Sequence, residues 1–287
     1  MKRTIAAITS SRSDYSHLRW LLHDLGEHPA IDLRVIALGP HLSPEFGHTA
    51  RQISNNSGSK NNPEAFTPVE CLLSSDTDVG MAKTLGLATL GLADALGRIR
   101  PDFVLLIADR YEMLAPASVA LTLRIPIAHI EGGEITSGAI DDAVRNAITK
   151  MSHLHFACTR AAQQRVIAMG EQPWRVNFSG SLSLDHFRRA KLLTQEQVEK
   201  KLGITLDHKK TILALYHPVT LMKDTVEEAE EMLAALRGLK HQILFIYPNA
   251  DAGSRKLIQL TERSASMLSK YRFLCRDMSE KKGATRP

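Results

Sequence analysis

Short apolar runs alternate with longer stretches in which apolar residues return every three or four positions, and this alternation spans most of the chain. Continuous apolar runs fit strands buried on both faces, whereas the wider spacing fits helices with one apolar face. The runs predict strands at Thr4–Thr9, Leu33–Leu38, Phe103–Ile107, Ile125–His129, His153–Ala157, Thr211–Leu215, Ile243–Tyr247 and Arg272–Leu274. Helices are predicted at Ser16–Glu27, where Leu18, Leu21, Leu22 and Leu25 share a face, and at Val79–Arg98, Tyr111–Leu123, Asp141–Met151, Arg160–Met169, Val226–Leu236 and Ser254–Leu268. The pattern predicts an α/β protein, with parallel sheets covered by helices on both faces. It weakens across Gly170–Thr205, where Glu171-Gln172-Pro173 and Ser179-Gly180-Ser181 signal turns, and resumes at Thr211, which places a domain junction near residues 175–190. The polar stretch Ser54–Ala65 reads as a loop.

The chain of 287 residues is 44% hydrophobic and 23% charged with a net charge of +5, which excludes disorder and collagen. The apolar run near the start is only Ile5–Ile8, too short for a secretory leader. Thr84–Ala93 is interrupted by glycine and falls short of the roughly 20 residues of a spanning helix. A cytoplasmic protein that meets no membrane is therefore expected. Cys71, Cys158 and Cys275 are widely spaced without a CxxC pair, as suits reduced thiols. Basic residues are dispersed and aromatics reach only 5%, so no nucleic-acid partner is expected.

In an open parallel sheet, ligands bind beyond the carboxyl ends of the strands. There the sequence places Arg12, Asp14 and Ser16, then His41, Asp109 and Arg110, Glu131-Gly132-Gly133, His217-Pro218, and finally Asn249, Asp251 and Gly253. Singly, each suits a helix cap or a turn. Acids and arginines together suit an anionic ligand and acid–base chemistry. Asp109, Glu131 and Asp141 are the candidate acids and bases, since two carboxylates in different surroundings can divide those roles. Asp142 fits a structural place at a helix N-terminus. Arg12 and Arg110 could each grip phosphate oxygens. No GxGxxG is present, so no nicotinamide cofactor is expected, and His129, His153 and His155 lack the HExxH spacing of a metal site. His217, ending a buried strand, fits a ligand contact or a satisfied structural histidine.

As a set, Ser11-Arg12-Ser13-Asp14-Tyr15-Ser16, Asp109-Arg110, His129-Ile130-Glu131-Gly132-Gly133-Glu134, Ile140-Asp141-Asp142, Arg145-Asn146-Ala147-Ile148-Thr149-Lys150, His217-Pro218-Val219-Thr220 and Pro248-Asn249-Ala250-Asp251-Ala252-Gly253 resemble the hydrolysing UDP-N-acetylglucosamine 2-epimerases. The resemblance implies two Rossmann-like domains in a glycosyltransferase-B arrangement, with a UDP-sugar between them and no cofactor or metal. It implies elimination of UDP across C1–C2 and then hydration, giving N-acetylmannosamine for sialic-acid synthesis. A UDP-diacetamido-trideoxy sugar of a legionaminic-type pathway is the alternative substrate. By the same resemblance Asp109, Glu131 and Asp141 are catalytic. Arg12, Ser16, Arg110, His217 and Asn249 contact the nucleotide, with His217 facing the phosphates or leaving group. A homodimer or homotetramer is implied, with Val79–Arg98 serving as an interface or as core.

Two departures matter. Ala108 stands where the family commonly has glycine, and the chain stops at Pro287, before a Gly-Asn-Ser-Ser segment and closing helix that the family carries. The expected division is therefore a first domain over 1–178 with the carboxylates, a partial UDP-binding domain over 185–275 with weakened UDP affinity, and a disordered tail over 276–287. A glycosyltransferase of the same fold and an inactive nucleotide-sugar-binding remnant are the other readings.

Overall fold

The strands that the apolar runs predict assemble around β1 (Arg3–Thr9) in a computed structural model that describes residues 2–44, 49–50, 53–54, 65–73, 75, 77–207, 209–217, 226–246, 254–266 and 271–274. The chain divides into two compact units, one formed by Met1–Ser74 and Val79–Ala190, the other by Ser75–Asp78 and Lys191–Pro287.

The first unit carries a parallel sheet in the order β3 (Phe66–Val69), β2 (Ile31–Leu38), β1, β4 (Phe103–Ile107), β5 (Ile127–Ile130), β6 (Leu154–Ala157), β7 (Val176–Phe178). Side chains alternate between two cores. Ala6, Ile8, Ile36, Leu38, Val104 and Leu106 meet Ala88, Leu92, Ala95 and Leu96 of helix α2 (Asp78–Ile99). Ala7, Val35, Ala37, Leu105 and Ile107 meet Leu18 and Leu22 of helix α1 (Arg12–Glu27). Each fully buried Leu or Ile contributes about 1.5–3 kcal/mol, so the doubly covered strands supply most of the cohesion. The sequence pattern passes over β3 and β7, the two edge strands. β3 contains Pro68, which a strand tolerates at an edge, and β7 spans only three residues.

The order around β1 fixes where a ligand can bind. From β1 the chain moves outward through β2 to β3, then returns to place β4 on the other side of β1. Connections diverge there, which opens a crevice at the carboxyl ends of β1 and β4.

Two details go beyond the sequence reading. Helix α2 is 22 residues long and, by length and composition alone, apolar enough to cross a membrane, because helical structure continues through the glycines that interrupt the run. Its Thr84, Ala88, Leu92, Ala95 and Leu96 are buried while Val79, Leu87 and Leu90 are exposed. The boundary between the units falls after Ala190, at the upper end of the range expected for the junction. Helix α6 (Ser183–Arg189) belongs to the first unit, where Arg189 makes two 2.7 Å bonds to Asp24 and stacks 4.4 Å from the Trp20 ring. Helices α3 (Leu114–Thr122), α4 (Asp141–Met151) and α5 (Arg160–Ala168) complete that unit.

In the second unit, helix α7 (Gln195–Leu202) starts with a Thr194–Gln197 capping box and ends on left-handed Gly203. Strands β8 (Thr211–Leu215), β9 (Gln242–Ile246) and β10 (Tyr271–Leu274) form a parallel sheet in the order β10, β9, β8. Ala214, Ile243 and Phe245 pack against Leu233 of helix α8 (Val226–Gly238), and helix α9 spans Ser254–Ser266. The segment 276–287 lies outside the described residues.

Glycines in α2 separate propensity from packing. Gly86 has open space around an added Cβ, whereas at Gly91 the same atom would lie 2.6 Å from Val69 Cγ1. Urea unfolding of Gly86→Ala should show a gain of about 0.5–1 kcal/mol. Gly91→Ala should forfeit that gain and unfold earlier than the parent, because the β-branched Val69 cannot swing aside.

Candidate active site

Ser11 caps α1. Its hydroxyl accepts from the Asp14 N–H, and the buried Asp14 carboxylate accepts from Ser10 N, Ser10 Oγ and Ser11 N at 2.8–3.0 Å. This box starts the helix at Arg12, four residues before the predicted Ser16, so Arg12 and Ser16 both sit in its first turns with exposed side chains. The Ser16 hydroxyl donates to the Ser13 carbonyl at 2.7 Å.

Beside it, β4 ends in a turn where Ala108 adopts φ +61, and Asp109 follows. The neighbouring β5 ends at Glu131 with φ +66. Both are left-handed, a conformation that costs an L-residue roughly 1–2 kcal/mol. His129 ties the two turns together. Its Nε2 lies 3.0 Å from the Ala108 carbonyl and its Nδ1 lies 3.3 Å from Thr149 Oγ1 of α4. The ring is fully buried, and burial pushes its pKa down to about 4, so it is a neutral imidazole donating to Ala108. Gly132 follows because a Cβ there would come within 3.1 Å of His129 Nδ1 and 3.0 Å of Thr149 Oγ1. At Gly133, with φ +83, a Cβ would lie 2.3 Å from the Ala162 carbonyl of α5. The His-Ile-Glu-Gly-Gly string is thus a steric requirement of this corner.

Asp109 is held by Arg145 of α4, whose side chain is 5% exposed. The same guanidinium donates to the Glu134 carbonyl and Thr136 Oγ1, each at 2.8 Å, and lies 3.5 Å from Asp142 Oδ1. Asp142 also accepts from Thr136 N, which gives it the structural place expected. Asp141 opens α4 one residue earlier, half-buried. Glu131, 15% exposed, faces His17 of α1 at 3.5 Å. Asp109, Glu131 and Asp141 are therefore borne at the carboxyl edge of one sheet, together with Arg12, Ser16 and Arg110.

Arg110 has a partner that sequence reading missed. Its Nε and Nη2 donate to the two carboxylate oxygens of Glu112 at 3.2 and 3.0 Å, and Glu112 is completely buried. Burial raises the Glu112 pKa against the opposing pull of Arg110. His41 is also buried, between Thr9 Oγ1 at 2.8 Å and Thr49 Oγ1 at 2.6 Å, and burial lowers its pKa to about 4. Arg145 was named within a matching string but given no role, although a basic residue three positions after Asp142 faces it across one helical turn. His217 follows β8 in the second unit and is exposed, and Asn249 lies outside the described residues. His153 precedes β6 and is exposed whereas His155 is buried, so the two rings do not share a strand face. Among the described residues there is no cluster of three metal-ligand side chains. Cys71 and Cys158 are free, and Cys275 is not among the described residues.

These features define a parallel α/β protein with carboxylates, arginines and a capped helix start gathered beyond the strand ends. The chain belongs to the UDP-N-acetylglucosamine 2-epimerase family, whose model matches residues 23–276. It is 38% identical over 252 residues to the GDP/UDP-N,N'-diacetylbacillosamine 2-epimerase (hydrolyzing) of Campylobacter jejuni, covering 87% of this chain and 64% of that one. It is 36% identical over 263 residues to the UDP-N,N'-diacetylbacillosamine 2-epimerase (hydrolyzing) of Legionella pneumophila, covering 90% and 68%. To the UDP-N-acetylglucosamine 2-epimerase of Neisseria meningitidis serogroup B it is 31% identical over 261 residues, covering 90% and 66%. The chain spans about two thirds of the length of these curated relatives. The fold matches that of the Methanocaldococcus jannaschii UDP-GlcNAc 2-epimerase, solved with UDP-GlcNAc and UDP, at a TM-score of 0.72 and 17% identity over 94% of this chain and 73% of that one.

Two predictions follow from the corner. His129 and His41 titrate near 4 when folded and near 6.5 when unfolded, so the unfolded chain binds more protons between these values. The contribution of these two histidines to stability should be full above about pH 6.5 and fall toward pH 4, by on the order of 3 kcal/mol per histidine, with buried Glu112 opposing the trend. Urea midpoints between pH 7.5 and 5 should show the loss, and His129→Gln should flatten it. Separately, Gly133→Ala should cost at least about 2 kcal/mol in the same assay, since a left-handed backbone and a carbonyl clash act together.

Proposed function

We propose that this chain carries the catalytic side of a hydrolysing 2-epimerase, a cytoplasmic enzyme that converts a UDP-2-acetamido sugar to UDP and the free C2-inverted sugar. The observation that carries the reading is the placement of Asp109, Glu131 and Asp141 at one sheet edge, with Asp109 oriented by buried Arg145. In this reading one carboxylate takes the proton from C2. The electron pair of that C–H bond forms C1=C2, and the C1–O bond to UDP breaks. Water then adds its hydroxyl to C1, while C2 receives a proton on the opposite face. Departing diphosphate develops charge, which positively charged and N–H groups stabilise. Arg12 and Ser16 at the start of α1 and Arg110, held by Glu112, fit that task; the resemblance of the sequence also implies nucleotide contacts for His217 and Asn249. Of the two candidate sugars, the diacetamido-trideoxy nucleotide is favoured, because the relatives named for it at 38% and 36% identity exceed the 31% relative named for N-acetylglucosamine. A homodimer or homotetramer using the exposed Leu87 and Leu90 of α2 fits the same reading and is checked by light scattering.

The test is incubation with each UDP-sugar in D₂O, followed by proton NMR. Free UDP and a sugar deuterated at C2 are expected. Asp109→Asn, Glu131→Gln and Asp141→Asn should each lower turnover by about 10²-fold or more while circular dichroism stays unchanged. Release of UDP without deuterium at C2, or no reaction of folded protein with either nucleotide, would overturn the reading.

A further inference from the structure

His17 lies on α1, one residue after Ser16, with Nδ1 3.5 Å from Oε1 of Glu131. The contact joins the helix after β1 to the turn after β5, across the end of the intervening β4. The left-handed Glu131 backbone, bonded through its N–H to the Phe156 carbonyl at 2.9 Å, fixes the turn from which this side chain projects. Glu131 is 15% exposed and His17 38%, so the imidazole stands between a largely covered acid and solvent.

Two groups near Glu131, His129 and Cys158, hold their charge near neutrality while His17 changes its own. Asp14 on the same helix is bonded to Ser10 and Ser11. Facing Glu131, His129 is neutral because burial holds it near 4, and Cys158 stays a thiol because burial pushes it up to about 12. The hydrogen bond to Glu131 raises the His17 pKa from its ordinary value, against the opposing effect of burial.

We propose that His17 is a positioning residue for Glu131, its imidazolium orienting the carboxylate and supplying a counter-charge that exchanges protons with solvent. The proposal rests on Glu131 being one of the reacting carboxylates. By linkage, the pair stabilises the fold fully below about pH 6.5 and loses that contribution as pH rises through the elevated folded value.

Two measurements on the full chain test it. In a ¹H–¹³C titration of the histidine Cε1 signals, assigned with His17→Gln, the His17 midpoint should lie above about 6.5 and drop by about half a pH unit or more in Glu131→Gln. In the turnover assay at pH 7, His17→Gln should reduce kcat about tenfold with KM within about twofold, and should lose the neutral-pH limb of the kcat profile. His17→Lys, which keeps a positive charge, should restore kcat on the alkaline side. An identical His17 midpoint in the parent and Glu131→Gln, or superimposable pH profiles for the parent and His17→Gln, would overturn the proposal. Absence of turnover in the parent would instead strike the epimerase reading, and the titration decides the pairing by itself.

Discussion

The buried guanidinium of Arg145 is the contact on which the candidate site depends. It is nearly inaccessible to water, so every partner it lacks would cost the desolvation of a charge. Its partners come from separate parts of the chain: Asp109 beyond β4, Glu134 and Thr136 in the loop beyond β5, and Asp142 in the first turn of α4. The Asp109 turn is distant in sequence from the loop that runs from β5 into α4, and the guanidinium holds the two together. The start of α4, which carries Asp141, is fixed by the same cation that orients Asp109.

Around that charge the backbone is strained in a matched way. Ala108 and Glu131 end neighbouring strands in left-handed conformations, and His129 bonds one of these turns while belonging to the strand that leads into the other. Strain of this kind persists only where the surroundings over-determine it. Here the surroundings are a buried neutral imidazole, Thr149, and two glycines that no larger residue could replace without displacing His129 or α5. At Ala108, φ +61 suits a residue without Cβ, and alanine is the side chain that adds least.

Much of this was legible from residue order, and the exceptions have physical causes. Central strands read clearly because apolar residues cover both faces, and α4 was predicted at its observed limits because Asp141 and Asp142 suit a helix start. Edge strands β3 and β7 were missed because a proline and a three-residue length erase the apolar run. The start of α1 was placed late because Ser11 and Asp14 read as loop until their reciprocal cap is seen. For the candidate site, residue types and strand ends pointed to Asp109, Glu131 and Asp141. Arg145 and His129 act through burial and through partners distant in sequence, Asp109 and Ala108, while Glu112 acts on nearby Arg110 through a burial that residue order does not report. Arg110 was read as open to phosphate, and only the fold reveals that a buried carboxylate grips two of its nitrogens.

The two central acids are held by cations of different kinds, and this difference bears on how they divide their work. Asp109 is oriented by an arginine, whose charge is permanent across the working pH range. Glu131 faces a histidine, whose charge is not. Elimination followed by hydration needs a proton taken at one stage and a proton given at another, and acids in unlike surroundings can serve opposite steps. A carboxylate beside a fixed cation keeps one electrostatic setting through both stages. A carboxylate beside an imidazole open to solvent can pass protons outward between them. The acids themselves are covered to a similar degree, and their cations differ: on the proposed reading, the half-exposed His17 beside Glu131 fits proton exchange with water, and the buried Arg145 beside Asp109 fits steady orientation of the reacting sugar.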